Sequence, residues 1–234
     1  HVIPKYLFGT AGKPSYADWY AGFARNAITF TYTSQSKFAG EVTPQNWYRI
    51  LARPGVEIGR SNPDTDPSGY QTLQMLALTE RYYRVPGLSQ RILANAPPRN
   101  IRDTETSLIS ALQLGQIDYL AIYRSDAIQH HLKYLALPAK IDLSDPSLAS
   151  SYAMAIAHTK NGDLKGAPIV YAVTIPKNAP HAEWAQKYVA LLLGPQGQKI
   201  MKDSGFMPLA PAVAAGRDRM PASLGSLVAA WPSM

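Results

Sequence analysis

Asn62-Pro63-Asp64-Thr65-Asp66-Pro67-Ser68-Gly69-Tyr70 stands between two segments of different hydrophobic period. Before it, Val56-Glu57-Ile58-Gly59 alternates apolar with small or polar residues, as a short strand does. After it, Tyr70, Leu73, Met75, Leu76, Leu78 and Tyr82 recur at helical spacing, so a helix is expected over 69–83. The turn therefore ends in a helix N-terminus, which Asp66 or Ser68 can cap and where Pro67 suits the first turn. Unpaired N–H groups and the helix dipole make such a turn a ready anion site. A capping side chain satisfies the same groups, so an ordinary capped loop is the alternative reading. In open α/β sheets, ligands bind beyond the carboxyl ends of the strands, which is where this turn lies.

Working outward, strand and helix signals alternate. Strands are expected at 27–33 (Ala27-Ile28-Thr29-Phe30-Thr31-Tyr32-Thr33), 56–59, 117–123 and 167–176, the last bounded by Pro168 and Pro176. Helices are expected at 43–51, 69–83, 86–95, 104–114 (stopped by Gly115), 125–132, 182–193, 196–202 and 224–229. This rhythm argues for an α/β protein whose sheets are mainly parallel. The strands at 27–33 and 167–176 bracket the central segment, which suggests two connections between two lobes and a ligand cleft between them. The expected division is 1–28 and 171–234 in lobe one and 29–170 in lobe two.

With 234 residues, 46% hydrophobic and 17% charged, the chain can bury a core and is not of disordered composition. Cysteine is absent, which excludes a disulfide framework and thiolate metal sites. No stretch reaches the length of a membrane span, and no secretory leader is read. His1 is not a translational start, so the N-terminus is expected to be cleaved, truncated or left out. The net charge of +7 comes from scattered Lys and Arg, a general field and not a phosphate-tracking stripe.

Glu105 opens the 104–114 helix in Asp103-Thr104-Glu105-Thr106-Ser107, where an acid also complements the helix dipole. If Glu105 and Asp66 face one site, three chemistries are open. They are acid and base in a hydrolase, ligands to a hard cation, or ligands to a high-valent metal centre that arrives as an oxyanion. Tyr123 ends the 117–123 strand, where its phenol can donate to a ligand or pack as a strand aromatic, and Ser125 is expected to cap the next helix. His130 and His131 point to different helix faces and do not form a metal pair. No Gly-x-Ser-x-Gly elbow, P-loop or Gly-x-Gly-x-x-Gly occurs, so an enzyme is weakly supported.

The chain resembles the substrate-binding proteins of tungstate/molybdate ABC transporters, in the branch first recognised in archaea. The resemblance runs in order through Tyr16-Ala17-Asp18-Trp19-Tyr20, Asn46-Trp47-Tyr48-Arg49-Ile50-Leu51 and Gly59-Arg60-Ser61-Asn62-Pro63 to Asp66-Pro67-Ser68-Gly69-Tyr70. It continues through Glu105-Thr106-Ser107-Leu108, Tyr123-Arg124-Ser125, Gln129-His130-His131-Leu132-Lys133-Tyr134 and Pro168-Ile169-Val170-Tyr171. It implies a two-lobed periplasmic binding protein fold of type II, with two crossover strands and a mixed, mainly parallel, helix-flanked sheet in each lobe. It also implies that Asp66 and Glu105 ligate the tungsten or molybdenum of the bound oxyanion. Pro67, Ser68 and Tyr123 would complete this lobe's half of the site. No cofactor is implied beyond that ligand.

The implied partners are tungstate or molybdate and an ABC permease, with neither nucleic acid nor membrane insertion. The implied location is periplasmic or otherwise extracytoplasmic. A receptor or sensor for another oxyanion, or a carboxylate-dependent hydrolase, is the alternative. Two departures from the family pattern stand out. Pro97-Pro98 replaces a longer insert before Glu105, and the family's first strands and two ligand-binding serines have no counterpart after His1. For this second departure three explanations are open: a separate N-terminal fragment as a further partner, an incomplete sequence, or a protein that works differently.

Overall fold

The computed structural model describes residues 7–9 and 14–231. They divide into two compact units: the chain up to Arg25 together with everything from Val170 onward, and Asn26–Ile169 between them. The first unit begins with strand β1 (Tyr20–Arg25). The second holds β2 (Ile28–Tyr32), α1 (Trp47–Leu51), β3 (Ile58–Ser61), α2 (Pro67–Tyr83), α3 (Leu88–Ala94), β4 (Ile101–Arg102) and α4 (Glu105–Gln113). It continues with β5 (Tyr119–Tyr123), α5 (Arg124–Gln129), β6 (Lys133–Tyr134), α6 (Ala139–Asp142), α7 (Ala149–Tyr152) and a hairpin of β7 (Ile156–Thr159) and β8 (Gly162–Lys165). The chain then returns to the first unit as β9 (Val170–Val173), α8 (Ala182–Leu193), α9 (Pro195–Asp203), β10 (Met207–Ala215), α10 (Ala222–Gly225) and β11 (Val228–Ala230). No described helix is long and apolar enough to cross a membrane.

In the second unit the strand order is β4-β3-β5-β2-β6. β3 is parallel to both β4 and β5, while β2 runs antiparallel to β5 (Ile28 opposite Tyr123) and to β6. The first unit has the order β11-β10-β1-β9, with β1 antiparallel to both neighbours and β10 parallel to β11. Both sheets are mixed, but the antiparallel share exceeds the mainly parallel expectation. β1 and β2 are joined by two residues and lie in different sheets, so no crossover helix imposes a parallel neighbour on either.

The alternation in β2 does not mark a solvent face. Thr29 and Thr31 are as buried as Ile28 and Phe30. Their hydroxyls donate to the Leu135 and Lys133 carbonyls at 2.5 and 2.6 Å, which removes the penalty of burying them. The core on the helical side is a stripe from α4 (Leu108, Ile109, Leu112) set against Ile117, Leu120 and Ile122. The two chain crossings are adjacent: the Asn26 N–H donates to the Ile169 carbonyl at 3.1 Å. The Asn26 side chain is fully buried and donates to Ser125 Oγ at 2.8 Å, which ties the crossing to the start of α5.

Several expected boundaries move. The 167–176 strand shrinks to Val170–Val173, because the Gly166 and Ile169 N–H groups are taken by Ala155 and Leu143 outside any ladder. Ser125 is no cap, since α5 begins at Arg124 and Tyr123 occupies the N-cap position. The terminal helix lies at Ala222–Gly225 and not at 224–229, because Val228–Ala230 pairs with β10 as a parallel strand. β1 and β10 carry no clear alternation, being rich in Ala, Gly and Pro. Their pairing is long-range and includes an irregularity between Gly22 and Ala24.

Candidate functional site

β4, β3 and β5 are parallel neighbours, so their carboxyl ends share one edge of the sheet. Each strand runs into a helix within a few residues. β3 leads through the 62–66 turn to α2, β4 through Asp103 and Thr104 to α4, and β5 directly to α5. Three helix N-termini therefore gather at that edge, where oriented N–H groups and dipoles favour anions.

Asp66 is the N-cap of α2. Its Oδ1 accepts the Ser68 N–H at 2.7 Å and the Ser68 hydroxyl at 2.8 Å, and Pro67 fills the first helical position, where a missing N–H does no harm. Ser68 is fully buried. The helix start is pressed onto the turn: a Cβ on Gly69 would lie 2.6 Å from the Asn62 carbonyl carbon and 2.7 Å from the Pro63 nitrogen. Only glycine permits that approach.

Glu105 is the first residue of α4. Its Oε1 is buried and has no hydrogen-bond partner. Burial pushes its carboxyl up to about 7, and the neighbouring charges of Asp126 and Asp66 add to the rise against an opposing hydrogen bond from Ser68. Asp126, in the first turn of α5, is itself raised, by burial first and then by Asp66, while His130 pulls the other way. Ser61 Oγ, at the end of β3, is the second side-chain oxygen at this edge that is buried without a partner. The Tyr123 hydroxyl donates to Gln71 Oε1 on α2 at 2.7 Å.

The structure thus gathers Asp66, Pro67, Ser68, Glu105 and Tyr123 at one sheet edge. Asp126, Gln71 and Ser61 join them without having been singled out by the sequence. An acid three residues after a strand end was the only signal for Asp126, and Gln71 and Ser61 carried none. Among the described residues, no group of three or more His, Asp or Glu side chains is arranged to hold a metal ion. What the edge offers is three carboxylates in electrostatic contact, Asp66, Glu105 and Asp126, one with an unused buried oxygen, near hydroxyl and N–H groups. Such a set can bind a ligand that is electrophilic at its centre and an acceptor at its periphery.

Comparison with known proteins gives the class of protein. Residues 9–207 match the family of bacterial extracellular solute-binding proteins. A solute-binding protein of Petrotoga mobilis is 39% identical over 217 residues, covering 90% of this chain and 68% of that protein. The molybdate/tungstate-binding protein WtpA of Thermococcus kodakarensis is 37% identical over 238 residues, covering 92% and 66%. The solved periplasmic molybdate-binding protein of Azotobacter vinelandii shares 19% identity with a TM-score of 0.55, over 82% of this chain and 70% of that one. The chain belongs to the bacterial extracellular solute-binding protein family and has the type II periplasmic binding protein fold. That family is one of solute receptors and not of enzymes. The chain spans about two thirds of the length of the relatives it matches.

Proposed function

We propose that this protein is an extracytoplasmic receptor that captures tungstate or molybdate and delivers it to an ABC permease. Asp66 and Glu105 each give an oxygen to the metal centre of the oxyanion. Ser68 and Tyr123 serve its oxo groups by turning their hydroxyls from Asp66 Oδ1 and Gln71 Oε1 to the ligand, and Pro67 fixes the turn that aims Asp66 and Ser68.

The observation that carries this reading is the buried, partnerless Oε1 of Glu105 beside a second carboxylate. A plain dianion would meet the carboxylates' negative charge there, against which the hydroxyl and N–H groups offer no new bond to its central atom. Tungsten(VI) and molybdenum(VI) are hard centres that can expand their coordination to accept carboxylate oxygen, which turns repulsion into bonding. Relatives named for molybdate and tungstate, at 36–37% identity, support the same choice.

The test is a thermal titration with tungstate, molybdate and sulfate. Tungstate or molybdate at a thousand times Kd should add about 4 kcal/mol of stability. Sulfate should add nothing and should not compete at millimolar concentration, because its sulfur does not take two further oxygens. Competition by sulfate would overturn the reading.

A further inference from the structure

Asp103 lies between β4 and Thr104, the N-cap of α4, two residues before Glu105. Its Oδ1 accepts from Asn62 Nδ2 at 2.9 Å and from Thr65 Oγ1 at 3.0 Å. Asn62 opens the turn that carries Asp66, and Thr65 is the residue immediately before Asp66. The backbone adds another tie, from the Asn62 N–H to the Arg102 carbonyl at 2.9 Å. Asn62 also shapes the turn from within: its carbonyl accepts the Thr65 and Asp66 N–H groups at 3.2 and 3.0 Å, and its Oδ1 accepts the Asp64 N–H at 3.1 Å. On the other side the β7–β8 tip grips Asp64. The Lys160 N–H donates to its Oδ1 at 2.8 Å, and Lys160 Nζ stands 3.6 Å from Oδ2. The turn is therefore fastened between two neighbouring segments, and the side-chain part of the fastening toward Glu105 runs through one carboxylate oxygen.

We propose that Asp103 is a positioning residue that fixes the separation of Asp66 and Glu105 by fastening the turn of one to the segment leading into the other. Its consequence for affinity rests on the oxyanion reading above; its geometry does not. A purely electrostatic role makes the opposite prediction. Asp103 is one more negative charge near a dianion site, so on charge alone its removal would tighten binding. Asparagine separates the two effects, since it keeps an acceptor oxygen for Asn62 and Thr65 and loses only the charge.

The experiment is calorimetric titration of the full chain with sodium tungstate, run on Asp103→Ala, Asp103→Asn and Thr65→Val. Positioning predicts that Asp103→Ala binds about tenfold more weakly and that Asp103→Asn stays within about threefold of the unaltered chain. Thr65→Val should weaken binding less than Asp103→Ala and add nothing to it in the double variant. Unchanged or tighter binding by Asp103→Ala, or Asp103→Asn as weak as Asp103→Ala, overturns the proposal. Hydrogen exchange of the Thr65 and Asp66 amides without ligand gives an independent reading. It should quicken by about tenfold in Asp103→Ala and not in Asp103→Asn. Unchanged exchange in Asp103→Ala overturns the proposal whatever the titrations show. If the unaltered chain binds neither tungstate nor molybdate while exchange behaves as described, the oxyanion reading falls and the fastening stands.

Discussion

Glu105 concentrates the tension of this site in one side chain. A carboxyl whose folded-state value is raised takes up protons on folding. Stability is therefore undiminished below its ordinary 4.5 and falls as pH rises from there through about 7, where the unfolded chain has lost the proton that the folded one keeps. Glu105→Gln removes the ionised form. It should unfold at a higher temperature than the unaltered chain at pH 8 and at nearly the same temperature near pH 5, as read by thermal melts in ligand-free buffer. The same variant, and Asp66→Asn, should each bind tungstate at least tenfold more weakly, about 1.4 kcal/mol, because an amide is a poorer ligand to a hexavalent metal. Asn caps helices as well as Asp does, so Asp66→Asn should leave the ligand-free melting temperature almost unmoved. Tighter binding by either variant would mean that the acids only repel the anion. Both carboxylates were legible in the sequence because each opens a helix next to a local signal. Their environment was not. Asp126 comes from a separate stretch of chain that only the parallel pairing of β3 with β5 brings to this edge, while Ser61 and Gln71 flank Asp66 in one segment with no local signal of their own.

At the level of elements, the start of α2 is set by contact with the turn before it. Gly69→Ala would drive a methyl group into the Asn62–Pro63 backbone, which has no flexible end to give way. The expected cost is about 2 kcal/mol, a fall of roughly 4–8 °C in melting temperature at 2–4 °C per kcal/mol. Tungstate affinity should fall with it, because Asp66 and Ser68 ride on the displaced turn. A melt and a titration within the noise of the unaltered chain would show that the turn adjusts freely. The sequence marked α2, α4 and α8 well because a helix declares itself through neighbours three and four residues apart. It marked β1, β10 and β11 poorly, since Ala-, Gly- and Pro-rich strands owe their existence to partners far along the chain, Tyr20 opposite Ala215 among them. The β7–β8 hairpin escaped for a related reason: its run is short and polar, and its tip is held by Asp64.

Across the whole molecule, each unit has its own sheet. The second is packed around the α4 stripe, and the first around Trp19, Val189, Leu193, Ala212, Ala214 and Leu224. All the site residues named here fall within the second unit, so the candidate coordination chemistry belongs to one contiguous stretch of chain. The net charge of +7 favours encounter with anions in general, and on the proposed reading the carboxylates select among them those whose centre can bond to oxygen. Capture in this account is a change in coordination and not merely the neutralisation of charge. Tungsten-edge X-ray absorption on the tungstate-loaded protein reads that directly. The bound tungsten should have gained two oxygen neighbours over the free tetrahedral ion, a gain that Glu105→Gln reduces. A bound tungstate whose spectrum stays that of the free tetrahedral ion would contradict it.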